Sequence, residues 1–199
     1  FSDPQFGGNL AEGHPDQGDG PMNAGGVRDP NIGNTGVGIQ KAGSLHQQLP
    51  MNVYRIDPSG KVEIAVPFEQ GKAPNGICFS PDYKKVYIAD TGAPSNMRVY
   101  DLDGKALRNG KQFVQLTIPG TQTKSAPDGM RVDTDGNVWC GARPGVQIVS
   151  PNGEPIGLIR LPETCANVSF GGTKRNHLFM ASSQSLYSGY VGGQGAHIC

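Results

Sequence analysis

Two stretches of this sequence are nearly the same phrase, and each carries an oxygen-bearing side chain at the same place. Residues 73–82 read APNGICFSPD and residues 126–135 read APDGMRVDTD, so Asn75 in the first corresponds to Asp128 in the second. Amide and carboxylate oxygens are the ligands that hard cations such as Ca²⁺ prefer in proteins. The repeated phrase therefore predicts a cation site, provided that the fold brings the two side chains together.

A third stretch extends this repeat. Residues 74–91, 127–143 and 166–182 each read as an Asn or Asp, a strand, a turn and a second strand, which aligns Asn167 with the first two oxygen-bearing residues. The intervals of 53 and 39 residues suit the four-stranded blades of a β-propeller, with variable loops between them. Because the innermost strand of each blade lines the central channel, three such oxygens would meet near one point and would suit a hard cation.

A plainer interpretation is that Asn and Asp before Gly only form turns. Residues 151–153 provide a comparison, since this PNG lies between two strand-like runs, is followed by the polar Glu154 and predicts an ordinary hairpin turn. The PNG at residues 74–76 runs instead directly into the apolar sequence ICF. The residues alone leave both interpretations open.

The elements that must position these side chains are short strands. From residue 52 onward, runs rich in Val, Ile, Tyr and Phe alternate with turn signals such as PSG, PDYK and TDGN, and no amphipathic helix is visible. Strands of about five residues joined by such turns indicate an all-β protein. Residues 7–49 are rich in Gly, Asn, Asp and Gln without apolar periodicity, which predicts a long loop.

Composition and termini narrow the classes of function. Lys and Arg together number 17, as do Asp and Glu, so the charge gives no reason to expect nucleic acid or an anionic membrane surface as a partner. No apolar run is long enough to predict a membrane span. The N-terminal FSDPQFGG has no signal-peptide pattern, so either a signal was removed or the chain begins within a longer protein. The compartment stays open, a secreted or periplasmic location included.

The four cysteines are widely spaced and form no CxxC motif, which argues against a zinc site. Cys78, Cys140 and Cys165 lie in apolar strand-like runs, which predicts buried free thiols. Cys199, at the end of the chain, is the candidate for a disulfide, but the sequence does not identify its partner.

The repeated phrases also carry a resemblance. PNGICFSPDYKKVYIADT, PDGMRVDTDGNVW and NVSFGG…NHLFMASSQSLY resemble the senescence-marker-protein/gluconolactonase/luciferin-regenerating family over residues 50–190, and FSDPQFGG resembles that family's FTDPPYG stretch. The resemblance implies a six-bladed β-propeller with a divalent metal in its channel, usually calcium, with Zn²⁺ or Mn²⁺ as other options. It also implies a hydrolase, since the family includes lactonases and the related diisopropyl fluorophosphatase.

The family's metal ligands carry over in part. They are a Glu of the first blade, an Asn of the next, the Asn of PNG and the Asp of PDG, and the last two correspond to Asn75 and Asp128. Asn167 matches no family ligand position, so it is a channel-facing candidate for substrate binding. The family's Glu and first Asn lie upstream of the stretch that matches the N-terminus of this chain.

The resemblance therefore predicts that residues 1–199 form a partial propeller domain. Residues 50–191 would supply about four blades, and the loop at residues 7–49 would cover the channel mouth. We expect a companion polypeptide of about 100 residues to complete the ring and to donate the two upstream ligands.

The chemistry that the resemblance implies is the hydrolytic opening of a lactone ring. A channel cation would polarise the carbonyl, and Asp128, a ligand and the candidate base, would activate water. His14 and His46, in the loop, are candidates for contacts with the substrate. Two alternatives stay open: a related propeller hydrolase of the phosphotriesterase type, and a non-catalytic propeller with a structural metal and a partner at its rim.

Overall fold

The computed structural model describes residues 52–68, 72–92 and 94–197, and these residues fold into thirteen β-strands without a helix. The prediction of an all-β protein is confirmed for this part of the chain. The same residues therefore include no helix that could cross a membrane. The loop predicted at residues 7–49 lies outside the described residues.

The chain divides into two compact units, residues 1–74 and residues 75–199. The described part of the first unit is an antiparallel hairpin of β1 (Asn52–Ile56) and β2 (Val62–Pro67). Its turn is closed by Asp57, whose carboxylate accepts two backbone N–H bonds from the turn. An Asp side chain commonly stabilises a tight turn in this way.

Three antiparallel sheets form the described part of the second unit, which begins within β3, and consecutive strands pair in each sheet. The first sheet contains β3 (Pro74–Phe79), β4 (Lys85–Asp90), β5 (Asn96–Asp103) and β6 (Ala106–Val114). The second contains β7 (Met130–Val132), β8 (Val138–Ala142), β9 (Gly145–Val149) and β10 (Pro155–Arg160). The third contains β11 (Cys165–Gly171), β12 (His177–Ser182) and β13 (Leu186–Tyr190).

These three sheets pack face to face in chain order through two apolar clusters. The cluster between the first and second sheets includes Tyr87, Met97, Val99, Leu116, Met130, Val138 and Cys140. The cluster between the second and third sheets includes Trp139, Val146, Cys165, Val168, Phe170 and Leu178. Burial of this apolar surface is the main force that stacks the sheets.

Strand β8 shows how the sequence specifies this stacking. Successive side chains of a strand point to opposite faces of the sheet. Val138 and Cys140 therefore join the first cluster, while Trp139 between them joins the second. All five residues of the strand, VWCGA, are buried, which explains its continuous apolar run. Trp139 is therefore a core residue.

Some details differ from the sequence prediction of regular four-stranded blades. Among the described residues the first two sheets have four strands, but the third has three. Asn75 and Asn167 lie inside β3 and β11, whereas Asp128 lies two residues before β7. The backbone N–H of Gly129 donates to Ala166 of the third sheet, and regular pairing of β7 with β8 begins only after this departure. The number of blades in a complete ring stays a prediction.

Candidate metal centre and active site

Asn75 and Asp128 are held by neighbouring inner strands of the first two sheets. Asn75 is the second residue of β3. Asp128 is fixed through its backbone, because its N–H donates to the Gly141 carbonyl of β8 at 2.9 Å and the Gly141 N–H donates to the Gly129 carbonyl at 2.9 Å. The Asn75 side chain hydrogen-bonds to the Asp128 carboxylate. The structure therefore brings together the two residues that the repeated phrase singles out.

The glycine that follows each of these residues allows the inner strands to approach closely. A Cβ added to Gly76 would collide with the Asp128 carbonyl, and one added to Gly129 would collide with the Asn167 side chain. Glycine is the residue that permits such an approach of backbone to a neighbour. Gly76 and Gly129 thus allow each inner strand to pack against the next one.

The PNG at residues 151–153 is the predicted contrast, and it is a hairpin turn between β9 and β10. The Ser150 N–H donates to the Glu154 carbonyl at 2.8 Å across this turn. Gly153 has a φ of 86°, a conformation that favours glycine for its own backbone geometry. The same tripeptide therefore has two different structural roles in one chain.

Thr91 links the two candidate ligands and was not recognised in the sequence. It follows β4 directly, beside the start of β3 in the same sheet. The Asn75 Nδ2 donates to the Thr91 Oγ1 at 3.0 Å, and the Thr91 hydroxyl donates to the Pro127 carbonyl at 2.8 Å. Pro127 is the residue before Asp128, so one hydroxyl connects Asn75 to the loop that carries the carboxylate.

The electrostatics of Asp128 distinguish this carboxylate from those on the surface. Burial raises the pKa of Asp128 to about 6, and hydrogen bonds from the Asn75 side chain and the Gly129 backbone offset only part of that effect. Among the described residues, no salt bridge involves Asp128. A desolvated carboxylate with only neutral hydrogen-bond donors gains stability from a nearby cation.

This donor set fits a hard divalent cation. It combines one carboxylate with an adjacent amide, and Ca²⁺ accepts both kinds of oxygen. Within the described ranges, no three His, Cys, Asp or Glu side chains gather as a metal cluster. A cation at this position would thus rely on Asp128 together with amide oxygens and groups from elsewhere.

Asn167 lies against the loop that carries Asp128, but its side-chain oxygen already accepts a hydrogen bond. The Gly129 N–H donates to the Ala166 carbonyl at 2.8 Å, which places the following residue, Asn167, against the loop that carries Asp128. The Asn167 Oδ1 accepts the Val168 backbone N–H at 2.9 Å. The Asn167 Nδ2 is therefore better suited than the Oδ1 to bind a further group. This favours a substrate contact for Asn167 over a role as a third metal ligand.

The three described cysteines are buried free thiols, as predicted. Burial raises the pKa of Cys78 to about 12 and that of Cys165 to about 11, and it raises the pKa of Cys140 as well. Since the thiolate is the reactive and metal-binding form, these side chains remain neutral packing groups near neutral pH. Cys199, His14 and His46 lie outside the described residues.

Comparisons with known proteins agree with the fold. The SMP-30/Gluconolactonase/LRE-like region family matches residues 15–184. The chain is 32% identical over 146 residues to a gluconolactonase from Zymomonas mobilis, which covers 67% of this chain and 38% of that protein. It is 33% identical over 159 residues to lactonohydrolase oryH from Aspergillus oryzae, which covers 67% of this chain and 32% of that protein.

A solved structure gives the same result. A gluconolactonase from Xanthomonas campestris superposes with a TM-score of 0.65 at 25% identity, covering 77% of this chain and 50% of that one. The stacked antiparallel sheets, together with this similarity, place the protein in the β-propeller class. The chain belongs to the SMP-30/gluconolactonase/LRE-like family. It spans about half or less of the length of these relatives.

Proposed function

We propose that the protein hydrolyses lactone rings with the help of a divalent cation held by Asn75 and Asp128. Family membership and the similarity to proteins named gluconolactonase and lactonohydrolase support the reaction class. The observation that carries the proposal is the pairing of the desolvated Asp128 carboxylate with the Asn75 amide. Ca²⁺ suits these oxygen donors best, and Zn²⁺ or Mn²⁺ would also accept them.

The bound cation would supply Lewis-acid polarisation of the lactone carbonyl. Asn75 and Asp128 are the residues of this chain that would hold it, the former through Oδ1 and the latter through a carboxylate oxygen. The resemblance implies two further ligands, a Glu and an Asn, which lie upstream of the stretch that matches the N-terminus of this chain.

Asp128 would also act as the general base. Its second carboxylate oxygen accepts a proton from a water molecule while the water oxygen bonds to the lactone carbonyl carbon. The ring C–O bond then breaks, and the released alkoxide takes that proton from Asp128, which gives the hydroxy acid and restores the carboxylate. Without the cation, a pKa of about 6 already leaves Asp128 mostly ionised at neutral pH, and a bound cation would favour the ionised form further.

Asn167, His14 and His46 are the proposed substrate contacts. The Asn167 Nδ2 lies beside the loop that carries Asp128 and would donate to a hydroxyl or carbonyl oxygen of a sugar lactone. His14 and His46 remain proposed substrate contacts from the loop over the channel mouth. The companion polypeptide expected from the sequence also stays a prediction.

A panel of lactones, assayed on the full-length protein with and without a chelator, tests the proposal. We expect turnover of sugar lactones that is lost on chelation and restored by Ca²⁺. Turnover of phosphotriesters but not lactones would favour the alternative hydrolase. Cation binding without turnover of either class would favour a non-catalytic propeller and would overturn the proposal.

A further inference from the structure

The hydrogen bonds around Thr91 determine how the Asn75 amide is oriented. The Pro127 carbonyl can only accept a hydrogen bond. The single hydroxyl proton of Thr91 is therefore committed to Pro127, at 2.8 Å. Thr91 Oγ1 can then only accept from Asn75, so the amide group at 3.0 Å from it must be the NH₂.

This assignment has a direct consequence for cation binding. The two arms of a carboxamide point in different directions, so fixing Nδ2 on Thr91 turns Oδ1 away from it. The second Nδ2 proton remains available for the Asp128 carboxylate, to which the Asn75 side chain also hydrogen-bonds. The reversed amide would place its NH₂ where an oxygen is needed, and an NH₂ group does not coordinate a cation.

We propose that Thr91 is a positioning residue that fixes the orientation of the Asn75 amide and so prepares its oxygen for a divalent cation. The proposal rests on the proposed function, since it concerns the same cation. Groups that orient metal ligands typically change metal affinity about 10–100-fold when they are removed. Thr91 would act through Asn75 and would not touch the substrate.

A purely structural role for Thr91 is the competing explanation, because its hydroxyl also connects β4 to the loop before β7. Ser80 provides a matched control at the other end of the same β3–β4 hairpin. The buried Ser80 Oγ donates to Asp82 at 2.7 Å and accepts from the Lys85 N–H at 2.9 Å. Five residues of strand separate it from Asn75, which is about 16 Å.

The experiment is isothermal titration calorimetry of Ca²⁺ into the full-length protein, with no substrate present. Thr91→Val keeps the side-chain shape and removes the hydroxyl, and we expect it to weaken Ca²⁺ binding about 10–100-fold. Thr91→Ser retains the hydroxyl and should stay within about threefold of the wild type. Ser80→Ala should lower the urea midpoint without changing the Kd.

A second variant at residue 75 makes the orientation of the side chain irrelevant to cation binding. Asn75→Asp presents two oxygens, so either orientation of the group can bind the cation. If Thr91 acts through amide orientation, Thr91→Val should change the Kd by less than about threefold in that background. An undiminished loss there would show that Thr91 acts by another route.

The outcomes distinguish failure of the positioning role of Thr91 from failure of the proposed cation site. Wild-type affinity in Thr91→Val, or an equal loss in Ser80→Ala, would overturn the positioning role and leave the proposed function intact. A wild-type protein that binds no divalent cation would overturn the proposed cation and, with it, the role of Thr91.

Discussion

Two aspartates at opposite ends of β7 differ in how far hydrogen bonds compensate the burial of their carboxylates. Asp133, which follows the strand, is 2% exposed, and its two carboxylate oxygens accept four hydrogen bonds. The donors are the backbone N–H groups of Asp135 and Asn137, the Asn137 side chain and the Trp139 indole. Asp128, which precedes the strand, has burial as the dominant effect on its pKa.

The difference shows how one sheet provides both a structural carboxylate and a carboxylate suited to the proposed cation. A buried polar group costs little when the protein supplies its hydrogen bonds, and much more when it does not. Asp133 is satisfied by its own turn and by a core tryptophan, so it stabilises the fold. Asp128 is incompletely compensated, which is what a cation site or a catalytic base requires.

The largest expected effect is on catalysis at Asp128. Asp128→Ala removes a ligand charge and the candidate base together, so we expect kcat/KM for a sugar lactone to fall about 10³-fold or more. Asp135→Ala, at an exposed position in the turn after β7, is the control and should retain wild-type turnover. Near-normal activity in Asp128→Ala would refute the assignment.

The second effect is on stability at Asp133. Asp133→Ala leaves the Trp139 indole N–H and two backbone N–H groups without their acceptor, and we expect a loss of about 3 kcal/mol or more in the free energy of unfolding. Urea denaturation followed by tryptophan fluorescence measures it. A loss below about 1 kcal/mol would show that water replaces the carboxylate as acceptor. The hydrogen bonds of Asp133 would then not distinguish it from Asp128.

The third expected effect is a gain in stability when Asp128 is replaced by a neutral side chain. The pKa of Asp128 is raised from 3.8 to about 6 in the folded protein, so ionising it costs stability as the pH rises through that interval. The contribution of protonated Asp128 to the free energy of unfolding is fully present below the unfolded-state pKa. It is lost as the pH rises above the folded-state pKa. In chelator at about pH 8, Asp128→Asn should therefore be more stable than the wild type by up to about 3 kcal/mol.

The pH dependence supplies the control for this third prediction. At about pH 3 both forms are neutral at residue 128, so the two urea midpoints should converge. An advantage of Asp128→Asn that persists at low pH would mean that charge desolvation is not its cause.

The smallest effect is ligand-induced stabilisation. A cation that binds the folded state alone stabilises it by about 2.7 kcal/mol at a concentration of 100 times its Kd. Ca²⁺ should thus raise the thermal midpoint of the wild type but not that of Asp128→Asn. An equal shift in both proteins would place the cation elsewhere.

The sequence was informative wherever a residue type repeated at a fixed place in the fold. The PNG and PDG phrases identified Asn75 and Asp128, because only glycine allows the inner strands to approach so closely at those points. The apolar runs identified the strands, because strands that are covered on both faces lack polar alternation.

Other features depended on contacts that no local pattern records. Thr91 reaches Pro127 across 36 residues of sequence, and a threonine at the end of a strand has no distinctive signature. Asn167 is aligned with the ligand positions, but its oxygen accepts the N–H of the next residue. That local hydrogen bond is set by the side-chain rotamer, which the repeat pattern does not specify.

A crystal structure of the full-length protein with Ca²⁺ tests the central claim most directly, because anomalous scattering would locate the cation. We predict a single Ca²⁺ contacting Asn75 Oδ1 and an Asp128 carboxylate oxygen, each at about 2.3–2.6 Å, with none at Asp133. Calcium bound at Asp133, or an Asn75 oxygen and an Asp128 carboxylate that point away from each other, would contradict the account.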